Sequence, residues 1–358
     1  MSLRRMLDPT RTGTEADVLK ESLHRRVIGQ DEAIDEIASA YQVFLTGLRT
    51  PARPVGSFLF LGPTGSGKTR IVEATAESLA GTASAVVKID CAEFQHSHEI
   101  AKLIGSPPGY LGHRETHPAL SQEVLNQYQS ERLRLSFVLF DEIEKASDAL
   151  WNLLLGILDK GTLTLGDNRK VDFSSAMIFM TSNLGAAEMS AISSPRMGLL
   201  RTGLMGDNRV EERASNSARE AARRKFTPEF INRLDKIVVF KRLGRVELER
   251  ILNLELLNVR DRLFRSHPTN SFHFALTDLA KDVLLRSGSD QRYGARHLKR
   301  AVENLLVQPI SNLLATRQVQ TGDSVLVDSA EDREHLVFFK ESRTGTKSAS
   351  ERGSSVAA

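Results

Sequence analysis

Short, mainly apolar runs alternate with longer amphipathic stretches over the first 240 residues of the chain. Within each run the apolar residues follow one another with little polar alternation, which is typical of strands buried on both faces. The intervals between runs are long enough for the crossovers that parallel strands require. The pattern therefore predicts an α/β fold with a mostly parallel sheet covered by helices. The predicted strands are Ser57–Leu61, Ala85–Asp90, Ser136–Phe140, Ala176–Thr181 and Ile237–Phe240.

The pattern changes near Arg242, where leucines and isoleucines begin to recur at helical spacing. Alternating strand patterns and a capping threonine, Thr277, follow this helix. The C-terminal part therefore predicts a second, smaller α+β domain. Its predicted elements are a helix over Val246–Phe264, a strand over Phe272–Leu276, a helix after Thr277, a helix after Gly294, and strands over Ser324–Val327 and His335–Phe339.

The ends of the chain differ from these two regions. A first helix is predicted from Thr14, with Thr14 as its cap and Asp17 three residues on, and a second over Asp31–Leu48. The last residues are rich in Ser, Gly, Thr and Lys, which predicts a disordered tail. The predicted organisation is an N-terminal helical extension (1–26), a large domain (27–240), a small domain (241–340) and the tail (341–358).

Composition narrows the class of protein. The 358 residues are 41% hydrophobic and 26% charged, which is typical of a soluble globular protein. Neither an apolar run long enough for a bilayer nor a secretory signal is present, and Cys91 is the only cysteine, so a cytoplasmic protein is expected. The net charge of +3 comes from a mixed surface. Its short basic clusters lack interleaved aromatic residues, so nucleic-acid binding is not favoured.

The strongest local signal is a glycine-rich segment directly after the first predicted strand. It matches G-x-x-x-x-G-K-[ST] completely and precedes a predicted helix. Glycines let backbone N–H groups turn inward around phosphates, while a helix N-terminus favours an anion. Lys68 can bridge terminal phosphates and Thr69 can offer its hydroxyl to Mg²⁺, which predicts an ATP site; a turn that binds nothing is the alternative. The segment consists of Gly62, Pro63, Thr64, Gly65, Ser66, Gly67, Lys68 and Thr69.

Two further strand ends carry polar groups. Asp141 and Glu142 follow an apolar strand, at the edge where open α/β sheets bind ligands. In an ATP site Asp141 would hold Mg²⁺ and Glu142 would act as the base for the attacking water; a plain helix cap is the alternative. Asn183 ends the next predicted strand and could orient that water, although an asparagine there is also a common turn residue.

In this order, these segments resemble an AAA+ module, and more closely its Clp/ClpB unfoldase type, from Val27 to about Phe339. The resemblance implies an ATPase that remodels polypeptides. It also implies that Val27 and Ile28, in a Val-Ile-Gly-Gln-Asp box, lie against adenine. Matching segments are Glu142-Ile143-Glu144-Lys145-Ala146, Val171-Asp172-Phe173 and Met180-Thr181-Ser182-Asn183-Leu184-Gly185.

Two arginines receive roles from the same resemblance. Arg233 lies in a segment, Phe226–Asp235, that is similar to the family's arginine-finger segment. The resemblance implies that Arg233 reaches a neighbouring subunit's nucleotide, and hence a homo-hexameric ring; an ordinary surface pair with Asp235 is the alternative. Arg296 follows Tyr293-Gly-Ala and resembles the family's second sensor, which contacts the γ-phosphate. The alternative is an ordinary arginine at the start of a helix.

A further segment bears on the substrate. Gly109, Tyr110, Leu111 and Gly112 resemble a family loop that lines the ring's pore, where the aromatic residue grips protein substrates. Glycines and prolines suit a loop that moves as a unit, and Tyr110 offers apolar contact without demanding a sequence. A surface loop whose tyrosine packs on its own domain is the alternative.

The chain also departs from the family pattern. His113–Pro118 replaces the usual acidic stretch after Gly112, and 358 residues leave no room for the second ring and N-terminal domain of large relatives, so a single-module form is expected. Met197-Gly198-Leu199 and Thr202-Gly203-Leu204 resemble loops that dock a peptidase, and Val356-Ala357-Ala358 resembles an unfoldase tag.

The predicted function is an ATP-dependent unfoldase or chaperone ring, which could serve a peptidase or an adaptor. Two other classes remain open, a nucleic-acid motor or loader on the same core and an ATP-gated assembly switch that threads nothing. Stimulation of ATP hydrolysis by nucleic acid would identify the motor or loader. Function that is unchanged by Tyr110→Ala would identify the assembly switch.

Overall fold

The structure, a computed structural model, describes residues 7–106, 117–193, 206–266, 272–288, 294–332 and 334–341. The described residues divide into two compact units. The first contains those up to Arg250 together with 294–296, and the second contains the rest from Ile251 onward.

The first unit alternates strands and helices. Its helices are α1 (Thr14–Arg26), α2 (Asp31–Leu45), α3 (Lys68–Ala80), α4 (Ala101–Ile104), α5 (Gln122–Asn126), α6 (Asp148–Lys160), α7 (Ala186–Ser193), α8 (Gly206–Lys225) and α9 (Pro228–Ile231). Its strands are β1 (Gly56–Leu61), β2 (Val86–Asp90), β3 (Ser136–Asp141), β4 (Thr162–Thr164), β5 (Lys170–Asp172), β6 (Ala176–Ser182) and β7 (Lys236–Val239).

A five-stranded sheet organises this unit, in the order β2-β3-β6-β1-β7, with every pair parallel. Strands β4 and β5 form a separate antiparallel pair. The predicted α/β class is confirmed, and all five strands of the sheet lie within two residues of their predicted bounds. Strand order places β3, β6 and β1 side by side, although β1 and β6 are far apart in the chain.

Helices cover both faces of the sheet because alternate residues of each central strand point to opposite sides. Phe58 and Phe60 of β1 are fully buried in the core on the side of α1, α2 and α3, where the ring of Phe58 stacks on Phe179 at 5.3 Å. Leu59 and Leu61 enter the core on the other side, with residues of α6 and α8. Burial on both faces explains why these strands are continuously apolar.

The second unit combines helices with a small sheet, which confirms the predicted α+β class of this region. Its strands β8 (His273–Leu276), β9 (Ser324–Ser329) and β10 (Leu336–Glu341) are ordered β10-β9-β8. As predicted, Thr277 caps a helix, since its Oγ1 accepts the Ala280 N–H at 3.1 Å. The helices are α10 (Arg245–Ser266), α11 (Asp278–Gly288), α12 (Ala295–Val302) and α13 (Gln308–Ala315), with a π-helical turn at Glu303–Val307.

Two N-terminal details differ from prediction. Gly13, not Thr14, occupies the N-cap of α1 and offers no side-chain cap; the Asp17 carboxylate instead accepts the Thr12 hydroxyl. Helix α2 ends at Leu45, because Thr46 and Gly47 close it with backbone bonds to Gln42 and Phe44.

Candidate active site

The glycine-rich segment forms a turn between β1 and α3. Gly62, Gly65 and Gly67 have φ of 142°, 75° and 102°, which residues with a Cβ rarely adopt. At Gly62 a Cβ would also lie 2.7 Å from the carbonyl oxygen of Phe240. Gly67 caps α3, and a Cβ built there meets no atom within 4 Å, so the turn is open at the start of the helix. Unpaired N–H groups at a helix start attract anions.

Lys68 begins α3 and is only 8% exposed. Its Nζ donates to the carbonyl oxygens of Gly62 at 2.7 Å and Pro63 at 2.9 Å, and to Asn183 Oδ1 at 2.9 Å. Burial lowers the pKa of Lys68 to about 8, against the opposing effect of nearby carboxylates, Asp141 first among them. A buried ammonium held by neutral oxygens is suited to meet a multiply charged anion.

The carboxylates of Asp141 and Glu142 lie where β3 ends, beside the tip of β6. Thr181 on β6 holds the end of β3, because its Oγ1 donates to Asp141 Oδ1 and accepts the backbone N–H of Glu142 at 3.1 Å. Thr181 is 1% exposed, so this hydroxyl is shielded from water. No pattern in the sequence assigns a role to Thr181, although the residue lies in a segment that resembles the family.

Glu142 adopts a left-handed backbone, with φ of 55° and ψ of 47°, which is uncommon for a residue with a side chain. Its carboxylate forms an ion pair with Lys145, and the hydrogen bond between them raises the pKa of Lys145. Its Oε1 also lies 3.4 Å from Asn183 Nδ2. Such strained backbones cluster at functional sites.

Asn183 connects the two halves of the site. Its amide oxygen faces Lys68, its amide nitrogen faces Glu142, and its backbone N–H donates to Glu144 Oε1 at 3.1 Å. Thr64 Oγ1 lies 3.4 Å from the same amide oxygen. The structure thus brings the glycine-rich turn, the predicted base Glu142 and the predicted water-orienting amide of Asn183 into one network.

Other predicted nucleotide contacts lie in the same unit. Val27 and Ile28 are 5% and 7% exposed, so their side chains are largely covered. Ala295, which precedes Arg296, donates its N–H to the Gly65 carbonyl at 3.2 Å. Arg296 is the next residue along the chain, so its backbone lies beside this turn. Contacts of Val27, Ile28 and Arg296 with a nucleotide remain predictions.

Arg233 lies far from this network. Its backbone oxygen is 3.4 Å from Ser57 Oγ at the start of β1, whereas the glycine-rich turn follows the end of that strand. Five residues of strand separate the two points by on the order of 15 Å. The Arg233 guanidinium pairs with Glu229 at 3.0 Å and donates to the Leu155 carbonyl at 3.2 Å. Asp235 instead accepts the Ser57 N–H at 2.8 Å. The alternative prediction, an ion pair between Arg233 and Asp235, is therefore wrong.

Several predicted segments lie outside the described residues. These are Gly109–Gly112 with Tyr110, the two tripeptides at 197–199 and 202–204, Tyr293 and the tail from 342. The flanks of the Tyr110 segment are described and meet each other, since Ala119 and Leu120 donate to the carbonyls of Lys102 and Leu103, both at 3.1 Å. Within the described ranges, no helix is both long enough and apolar enough to cross a membrane.

Comparison with known proteins adds the family. Residues 53–237 match the AAA domain (Cdc48 subfamily), and residues 243–327 match the C-terminal, D2-small domain, of ClpB protein. The chaperone protein ClpB 1 of Thermosynechococcus vestitus is 39% identical over 328 residues, which are 92% of this chain and 35% of that protein. The ATP-dependent Clp protease ATP-binding subunit ClpC of Staphylococcus aureus is 37% identical over 333 residues, which are 93% of this chain and 39% of that protein.

Solved structures agree with these matches. The Saccharomyces cerevisiae Hsp104:casein complex in its extended conformation superposes with a TM-score of 0.74 at 29% identity, over 91% of this chain and 53% of that chain. The chain spans little more than a third of the length of the curated relatives that it matches, 35% of one and 39% of another.

Proposed function

This chain belongs to the AAA family and, within it, to the Clp/ClpB type, and on that premise we propose that it hydrolyses ATP in a homo-oligomeric ring to pull on polypeptides. The observation that carries the proposal is the network around Asn183, which joins Lys68 at the glycine-rich turn to Glu142 at the end of β3. A phosphate cradle and a carboxylate base within one hydrogen-bonded set are what phosphoryl transfer to water requires.

Each residue then has a part in the reaction. Lys68 neutralises charge on the terminal phosphates, and Glu142 accepts a proton from the attacking water, which Asn183 orients. The described residues fit Mg²⁺, because Thr69 follows Lys68 in the first turn of α3 and carries a hydroxyl, and the Asp141 carboxylate is aligned by Thr181. A bound Mg²⁺ would neutralise developing negative charge on phosphate oxygens. Arg296 and the covered Val27 and Ile28 complete the proposed nucleotide contacts.

We assign Arg233 to the site of a neighbouring subunit. The backbone of Arg233 lies at the start of β1, whereas Lys68 lies beyond the end of that strand. This supports the assignment, because an arginine side chain cannot span on the order of 15 Å. Removing Arg233 should therefore abolish hydrolysis in the neighbour's site. By family resemblance the ring is a hexamer, in which each interface would supply one such arginine.

The trans role can be tested by mixing two inactive variants. A subunit with Arg233→Ala keeps its own Glu142, and a subunit with Glu142→Gln keeps Arg233. In an equal mixture that exchanges subunits, about a quarter of the sites combine an intact Glu142 with a neighbour's Arg233, and turnover should return to about that fraction of wild type. Recovery no greater than the sum of the separate variants would contradict the assignment.

The substrate is proposed to be unfolded polypeptide held by Tyr110. In support, the two described flanks of the Tyr110 segment, around 102–103 and 119–120, hydrogen-bond to each other, so both ends of the segment are anchored at one place. Wild type, Glu142→Gln and Tyr110→Ala are compared for ATP turnover and for unfolding of a fluorescent protein, with the exposed Tyr128→Ala as the matched tyrosine control. Turnover should be lost in Glu142→Gln and retained in Tyr110→Ala, which should fail only to unfold. Normal unfolding by Tyr110→Ala would refute threading.

The other function classes are outcomes of the same assay. Stimulation of turnover by single-stranded nucleic acid but not by unfolded protein would indicate a nucleic-acid motor. Turnover and assembly without any unfolding by wild type would indicate an assembly switch. A peptidase partner is proposed from the resemblance of 197–199 and 202–204 to docking loops, and co-purification with and without 197–204 would test it.

A further inference from the structure

Gln30 is a polar side chain in the interior of the first unit, 4% exposed, between α1 and α2. Its amide nitrogen donates to the carbonyl oxygens of Ser66 and Lys241, both at 3.0 Å. Its amide oxygen accepts the Lys241 N–H at 3.0 Å. One glutamine therefore connects the glycine-rich turn to the residue that follows Phe240, beyond the end of β7.

The bond to Ser66 controls the direction of the next peptide group. In a trans peptide the carbonyl of one residue and the N–H of the following residue point in opposite directions. Because Gln30 holds the Ser66 carbonyl toward itself, the Gly67 N–H must point away from Gln30. Gly67 has φ of 102° and open space where a Cβ would be, so its backbone has no side chain of its own to restrain it.

Lys241, the other partner of the Gln30 amide, is fixed in place by the sheet. Phe240, just before Lys241, donates its N–H to Leu61 at 2.7 Å, in the last position of β1. Both backbone polar groups of Lys241 bond to the Gln30 amide, which sets the orientation of that amide. The sheet thus positions Gln30, and Gln30 in turn positions Ser66.

We propose that Gln30 is a positioning residue for the nucleotide site, which aims the Gly67 N–H into the phosphate cradle by holding the Ser66 carbonyl. The inference rests on the proposed ATP site. It assigns no direct contact between Gln30 and nucleotide. Without Gln30 the Ser66–Gly67 peptide can rotate, and a phosphate oxygen loses an aligned donor.

The test measures dissociation constants for ATP and ADP with the full chain and Gln30→Met, a near-isosteric change that removes both the donor and the acceptor. One misaligned donor to a charged oxygen should weaken ATP binding roughly tenfold. The matched control is Gln42→Met. Gln42 lies in α2, and its amide oxygen also accepts a backbone N–H, that of Gly13 at 2.9 Å. Gln42→Met should bind ATP as wild type does.

A second variant separates positioning from a general loss of packing and serves if Gln30→Met does not fold. In Gln30→Glu an ionised carboxylate still accepts from Lys241 but cannot donate to Ser66, whereas the neutral acid can donate one bond. Its burial between two carbonyl oxygens favours the neutral form. The ratio of variant to wild-type dissociation constant should therefore fall as the pH is lowered from about 8 to about 6; taking the ratio cancels titrations common to both proteins.

The outcomes are distinct. If wild type fails to bind nucleotide, the proposed function fails, not the role of Gln30 alone. If wild type binds and Gln30→Met binds within about twofold of it, the inference is wrong. If the introduced carboxyl is shown to titrate in this pH range and the Gln30→Glu ratio still does not change, the inference is also overturned, because the donated bond to Ser66 would then have no effect.

Discussion

The low pKa of Lys68 predicts how ATP affinity depends on pH. Burial lowers the pKa of this ammonium to about 8 in the nucleotide-free protein. A bound triphosphate adds negative charge beside Nζ and must raise that pKa. Binding at alkaline pH therefore takes up a proton. It follows that affinity is highest below the free-state pKa and falls as the pH rises through it.

The size of the effect follows from the fraction of Lys68 that is charged. With a pKa of about 8, the charged fraction is about three-quarters at pH 7.5 and about one-tenth at pH 9.0. Provided that Lys68 stays charged in the complex, the ATP affinity should be about eightfold weaker at pH 9.0 than at pH 7.5. The terminal phosphate of ATP is almost fully ionised over this range, so it adds little.

Titration calorimetry across this pH range measures both affinity and proton uptake, if it is repeated in buffers of different ionisation enthalpy. Lys68→Met should bind ATP more weakly at every pH and should lose most of the pH dependence. The control Lys88→Met removes a lysine that pairs with Glu73 at the surface, and it should keep the wild-type slope. Equal affinity of wild type at pH 7.5 and 9.0, or an unchanged slope in Lys68→Met, would refute the reasoning.

Three further outcomes are expected. Without nucleotide, the folded-state pKa of Lys68 lies below its unfolded value of 10.5, so the unfolded state binds more protons between these two values. The free energy of unfolding should therefore rise between about pH 8 and 10.5 relative to Lys68→Met, as urea titrations would measure. Thr181→Val should lower ATP turnover at least about tenfold, because the Asp141 carboxylate loses its hydroxyl donor and the Glu142 backbone N–H loses its acceptor. The control Thr75→Val removes an equally buried hydroxyl that donates to a helix carbonyl, and it should cost stability with little change in turnover. Asp235→Ala should lower the free energy of unfolding by about 2 kcal/mol, since the buried Ser57 N–H loses its acceptor, and Asp235→Asn, which keeps an acceptor, should lose clearly less; equal losses would contradict this explanation.

Local features of the fold could be predicted where one stretch of sequence is enough to determine them. Burial on both faces leaves β1 and β6 continuously apolar, so both strands are recognisable from composition alone. The glycine-rich turn is equally local, because positive φ values at Gly62 and Gly67 demand glycine. Capping of α1 was predicted wrongly, since a threonine followed by an acidic residue fits either Thr14 or its neighbours as the first helical position.

The site shows a similar division. Lys68, Asp141, Glu142 and Asn183 were identified from motifs, and their proximity follows from the order β3-β6-β1. Thr181 and Gln30 were missed as positioning groups, because nothing in the sequence pairs Thr181 with Asp141 or Gln30 with Ser66. Both are buried polar residues whose only signal is a partner distant in the chain, and hydrogen bonds of that kind leave no period or composition to detect.

The strands of the large sheet, the glycine-rich turn and the family resemblance could be recognised from the amino-acid sequence alone, since hydrophobic periodicity and glycine requirements act over a few neighbouring residues. The folded chain was needed to show which strand ends are adjacent, and to show that the Arg233 backbone lies at the start of β1 while Lys68 lies beyond its end. Those relations depend on crossovers that bring residues more than a hundred positions apart into register. A strand's side-chain pattern specifies only that the strand is buried, whereas packing across the whole sheet selects the strands beside it.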